Sequence, residues 1–182
     1  MHSIYVFLAD GFEEIEAITI IDVLRRASLH TVTVSISGQK KVLGAHNIAV
    51  EADQLFEDTD FSQGQALVLP GGMPGSANLD GYLPLKELIQ TYHQANKYLA
   101  AICAAPLVLG KMHLLKNKDA VCYPGFEKFL IDANITDQRV VCTDNIITGK
   151  GPGAAIAFSL TLVEILKGKE TATELAQGMI VD

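Results

Sequence analysis

The sequence is short of the features that mark secreted, membrane-bound or nucleic-acid-binding proteins. It has three cysteines, an odd and sparse number that makes no disulfide framework and fits a reducing compartment. No apolar stretch is long or uninterrupted enough to span a bilayer, so no membrane association is expected. The start, Met1-His2-Ser3, lacks the basic segment and cleavage site of a signal peptide. These absences point to the cytosol. Basic runs are also missing, with 14 Lys and Arg against 21 Asp and Glu and a net charge of −7. Nothing therefore favours a phosphate backbone, and no nucleic-acid partner is expected. The five histidines are scattered and form no metal-ligand spacing with Cys, Asp or Glu. Gly71-Gly72 is not a dinucleotide fingerprint and Gly149–Gly153 does not fit a phosphate-binding loop, so neither a metal nor a nucleotide cofactor is expected.

What is present is apolar. Forty-nine per cent of the 182 residues are hydrophobic, enough for one domain over residues 1–182 with a real core. Ile4–Ala9 is a continuous apolar run, the mark of a strand covered on both faces. Glu13–Ser28 has helical periodicity, with Glu16, Ile20, Val23, Leu24 and Ala27 on one face and Glu14, Ile18 and Arg25 opposite. Thr31–Ile36 reads as a second strand, Val42–Ala52 as an appended hairpin and Ala66–Leu69 as a buried strand ending in a glycine-rich loop. Leu85–Ala95 reads as a helix, Tyr98–Ile102 as a strand, Ala120–Tyr123 as a short strand and Glu127–Asp132 as a weak helix. A β-pair is expected over Arg139–Thr143 and Asn145–Thr148, then helices over Ala154–Leu166 and Glu170–Gln177. Strands alternating with helices on short connections predict an α/β fold with a mostly parallel sheet and helices on both faces.

The chain is organised around Cys103. It stands where an apolar strand becomes a helix opened by Pro106, with Ala101 and Ala105 at the flanking positions. A side chain on so tight a turn is pushed out above the sheet edge and needs small neighbours, the steric logic of a nucleophile elbow. The start of the following helix is expected to favour the thiolate; a buried structural cysteine is the competing reading. Cys122 and Cys142, in apolar strands, are expected to be inert core.

Sites in parallel sheets gather beyond the carboxyl ends of strands, which brings the Asp10–Glu16 turn, Gly71-Gly72 and Cys103 together. Glu13 and Glu14 are ordinary first-turn acids, whereas Glu16 shares the inward face. In an apolar pocket its carboxyl would stay protonated and could donate to a Cys103 thiolate. Gly72 could offer its amide to an oxyanion together with that of Ala104, though a bare turn is the alternative. His93 reads as a solvated helix position and His113 as lying past a helix end; no histidine is selected as a partner for the cysteine.

Gly11-Phe12-Glu13-Glu14-Ile15-Glu16-Ala17, Asp22–Ala27, Leu69-Pro70-Gly71-Gly72, Ala100–Pro106 and Gly151-Pro152-Gly153 resemble the ThiJ/PfpI superfamily, in the branch of bacterial YajL and the human parkinsonism-associated deglycase. The resemblance spans nearly the whole chain. It implies a flavodoxin-like three-layer sandwich, a homodimer, Cys103 as an oxidisable nucleophile, Glu16 as its protonated partner and Gly72 and Ala104 as oxyanion-hole amides. It further implies hydrolysis of glyoxal, methylglyoxal or their adducts on proteins, without a cofactor. The chain departs from the family in two places. Ala104 stands where the protease-like branch has histidine, which weakens a peptidase reading. The resemblance also places Gly71 and Tyr123 in the pocket, but Tyr123 precedes Pro124 where many relatives have histidine, and a phenol is no neutral-pH base. A redox sensor or chaperone-like protein working through Cys103 oxidation is the rival expectation. Thiazole monophosphate biosynthesis has no supporting residue, and a dimer with an inert thiol is the plainest alternative.

Overall fold

A computed structural model describes residues 2–181. In chain order its elements are β1 (Ser3–Leu8), α1 (Glu14–Arg26), β2 (Thr31–Ser35), β3 (Lys41–Leu43), β4 (Ala49–Glu51), β5 (Gln54–Leu55), β6 (Gly64–Leu69), α2 (Gly75–Gly81), α3 (Leu83–Gln94), β7 (Tyr98–Ile102), α4 (Pro106–Lys111), β8 (Asp119–Ala120), β9 (Asn134–Ile135), β10 (Val140–Thr143), β11 (Ile146–Gly149), α5 (Ala155–Lys167) and α6 (Lys169–Gly178). The main sheet has seven strands in the order β10-β11-β7-β6-β1-β2-β5. Every pairing in it is parallel except the β10–β11 hairpin.

Strand alternation divides the core in two. Tyr5, Phe7, Leu67, Leu69, Leu99 and Ala101 meet Leu85, Ile89 and Tyr92 of α3 and Leu107 of α4. The intervening residues Ile4, Val6, Val68, Ala100 and Ile102 meet Ile20 and Leu24 of α1 and Phe158 and Leu162 of α5. A period-two strand buried on both faces can do this only if both faces are apolar, hence the continuous runs in β1, β6 and β7. The result is a flavodoxin-like three-layer sandwich. Among the described residues no helix is long and apolar enough to cross a membrane.

Several expectations need correction. The glycine-rich loop after β6 leads into the short helix α2, and neither α2 nor β5 is expected from the sequence. Ala120–Tyr123 is not one strand: only Asp119–Ala120 pairs, with β9 in a separate ladder. Beyond it Val121 donates to Thr148 Oγ1 at 3.0 Å and Tyr123 donates to the Cys103 carbonyl at 2.8 Å. The backbone leaves the ladder because its donors are taken by β11 and by the turn at Cys103. Cys142 is exposed rather than core, since β10 is an edge strand. His93 is half-buried with an unpartnered Nδ1, not fully solvated.

Candidate active site

The carboxyl ends of β1, β6 and β7 converge, and the chain turns sharply beyond each of them. Cys103 follows β7 with φ +64°, a left-handed conformation that a non-glycine residue holds only under constraint. The constraint is visible. Its N–H donates to Gly149 at 2.9 Å, its carbonyl accepts from Tyr123 at 2.8 Å, and Ala101 and Ala105 are fully buried beside it. Cys103 itself keeps 7% exposure.

Gly71 packs between Cys103 and Glu16. A Cβ there would lie 2.6 Å from Cys103 Cβ and 2.7 Å from Glu16 Oε2, so only glycine lets the two side chains approach. Glu16, in the first turn of α1, is wholly buried. Its Oε2 accepts the Gly71 N–H at 2.8 Å, while Oε1 has no hydrogen-bond partner among the described residues; the carboxyl as a whole interacts with the Cys103 thiol. Glu13 caps the helix by accepting the Glu16 N–H at 2.7 Å, fixing the first turn. Burial raises the Glu16 carboxyl to about 7, against hydrogen bonds from Cys103 and Gly71 that favour its anion.

Burial and the negative charge of an ionised Glu16 both push the Cys103 thiol up, while the amides of Gly72 and Ala104 pull it down. This corrects the expectation of a thiolate favoured by the helix start. Helix α4 has only six residues and begins three positions later, at Pro106, too short and too far to outweigh desolvation. Thiolate and carboxylate repel, so the two groups do not ionise together. With a proton on Glu16 the repulsion vanishes and the carboxyl can donate to the sulfur.

Cys103 opens into a cavity of about 460 Å³ that also touches Glu13, Ile15, His46, Gly72 and Tyr123. Tyr123 is half-exposed along its wall. His46, which no sequence spacing selected, arrives on the turn between β3 and β4. Its N–H donates to Glu14 Oε1 at 2.6 Å and its Nδ1 lies 2.7 Å from Glu14 Oε2. Glu14, expected on the outer face of α1, is therefore buried. Donor atoms of Glu13, Glu14 and His46 lie within 4.8 Å of one another, but Glu14 is committed to His46 and Glu13 to the helix cap. Phe126 and Pro152 also line the cavity; neither is expected there from the sequence, because both come from distant connections that only the fold brings near.

Fold and site define a flavodoxin-like α/β protein with a cysteine on a strained strand-to-helix elbow and a buried carboxyl beside it. The family model described as DJ-1/PfpI matches residues 2–165. The chain belongs to the DJ-1/PfpI family. It is 38% identical over 181 residues to Protein DJ-1 homolog B of Arabidopsis thaliana, which covers 98% of this chain and 41% of that protein; the chain thus spans less than half of that relative. The C103A mutant of DJ-1 superfamily protein STM1931 from Salmonella typhimurium is 34% identical with a TM-score of 0.95, covering 100% of both chains. Oxidized DJ-1 of Toxoplasma gondii is 34% identical with a TM-score of 0.94, over 99% of this chain and 98% of that one.

Proposed function

We propose that the chain is a stress-response protein whose Cys103 attacks glyoxal, methylglyoxal or their early adducts on proteins. The observation that carries this reading is the wholly buried Glu16, raised to about 7 and turned toward a cysteine held at φ +64°. The sulfur adds to the aldehyde carbon of methylglyoxal, and the carbonyl oxygen takes the Glu16 proton to give a hemithioacetal. The amides of Gly72 and Ala104 are suited to stabilise the oxygen as charge develops on it. Glu16, now a carboxylate, takes the proton from that carbon and returns it to the neighbouring carbon, while the hydroxyl proton passes to the neighbouring oxygen, leaving a lactoyl thioester. Water then supplies hydroxyl to the acyl carbon and a proton to the sulfur, and lactate leaves. The sum is addition of one water, which needs no external oxidant.

The test is to incubate wild type and Cys103→Ser with methylglyoxal and follow lactate. Lactate from wild type alone supports the reading; equal yields from both proteins overturn it.

A second reading, a redox sensor, is favoured by the donors around the sulfur. The Gly72 and Ala104 amides and a protonated Glu16 would hold a sulfinate, and a similar protein is known in oxidized form. A clean two-oxygen adduct on peroxide titration, lost in Cys103→Ser and accompanied by no lactate formation, would select it.

A further inference from the structure

Beside the Cys103 cavity lies a second groove of about 290 Å³. The two share Tyr123 and Pro152 as a common wall, so a molecule reacting at the sulfur can extend past the phenol into the groove. The floor is Gly151-Pro152-Gly153, a motif with no part in the sulfur chemistry. A Cβ on Gly151 would meet the Tyr123 ring at 3.1 Å, whereas one on Gly153 would meet nothing within 4 Å. The missing side chains leave bare backbone and aromatic surface, suited to a flat apolar group. At the far rim stand Arg139 and Lys150, joined through the Lys150 N–H on the Arg139 carbonyl at 3.0 Å.

Lys150 pairs with Asp137, but Asp137 is almost wholly in solvent and screens easily. Arg139 forms no ion pair among the described residues. In a chain of net charge −7, an unneutralised guanidinium at the edge of an apolar groove is a local reversal of sign.

We propose that this groove is the tail subsite of the Cys103 pocket, taking substrates whose reactive carbonyl is joined through a ring-sized apolar body to a carboxylate. The proposal rests on Cys103 being the nucleophile and adds the substrate class. Guanidinium and carboxylate match in planar, two-pronged geometry, while the ring stacks on Tyr123 and the glycine backbone.

The test uses two alkylating reagents of one shape on the whole chain, 4-(bromomethyl)benzoate and 4-(bromomethyl)benzamide. Each forms a bond from sulfur to the benzylic carbon as bromide leaves, the thiol proton passing to solvent. Peptide masses report the rate at Cys103 separately from Cys122 and Cys142. The benzoate-to-benzamide rate ratio, divided by the same ratio for glutathione, is expected to be about three to five in wild type, the size of one exposed ion pair. It should fall toward one at high salt and in Arg139→Gln/Lys150→Gln, with the benzamide rate unchanged. A ratio of one in wild type, a ratio that survives the double substitution, or a Cys103 inert to both reagents overturns the proposal. A retained ratio in a protein that makes no lactate would remove the turnover reading and leave the subsite standing; lactate formation with a ratio of one would do the reverse.

Discussion

Glu16 is one residue whose environment departs far from that of the free side chain. Its carboxyl is raised from 4.5 to about 7, chiefly by burial. The native state then keeps a proton that the unfolded chain has released, so stability is greatest below about 4.5 and falls as pH rises toward 7. The shift corresponds to roughly 3 kcal/mol. Glu16→Gln keeps an acceptor for Gly71 and a donor for the sulfur but cannot ionise. Urea unfolding at pH 4.5, 6 and 8 should show the difference between variant and wild type growing in favour of the variant across that interval. A constant difference would mean that Glu16 titrates normally. The inward aim of Glu16 was legible from the apolar face it shares with Ile20 and Leu24. The burial of Glu14 was not, because a helical wheel knows only its own helix and the residues that cover Glu14 lie on the β3–β4 turn.

That turn is held at the element scale by one carboxylate. Glu14 receives the His46 N–H and faces the His46 ring, which raises the imidazole and lowers the carboxylate. Glu14→Gln gives up the charge-assisted bonds and should cost about 1–3 kcal/mol, with faster hydrogen exchange at the His46 amide. Unchanged exchange would show that the hairpin does not depend on this anchor. Helix α4 offers a test where local and tertiary preference conflict. Alanine is the better helix former by about 1 kcal/mol, yet a Cβ at Gly110 would lie 2.3 Å from the Phe129 carbonyl oxygen. Gly110→Ala should therefore destabilise by about 1–3 kcal/mol, read as a lower urea midpoint at unchanged slope; a higher midpoint would deny the close packing. Long apolar strands and helices were legible because their periods are regular. Helix α2 was hidden, since seven residues starting at a glycine carry little period and the element is kept by burial of Ser76 and Leu79.

At the scale of the whole molecule, one sheet separates two apolar layers that each bind the helices of one face. Phe158 of α5 is fully buried beneath Ile102 and Gly149, so it ties the outer helices to the strands that end at the elbow. Phe158→Ala should cost about 3–5 kcal/mol through lost burial and the cavity left behind, measured by denaturant unfolding. A loss under about 1 kcal/mol would mean that the layer collapses around the gap. The sequence by itself determined the α/β class, the parallel sheet, the cysteine elbow and the inward carboxyl, because these follow from the order of polar and apolar residues along single elements. The fold alone decided that His46, Phe126 and Pro152 join Tyr123 around one sulfur, that Arg139 faces the neighbouring groove and that burial outweighs the helix start at Cys103. The physical reason is that apolar burial has no direction: periodicity says which face must be covered, while the crossovers of the chain decide what covers it.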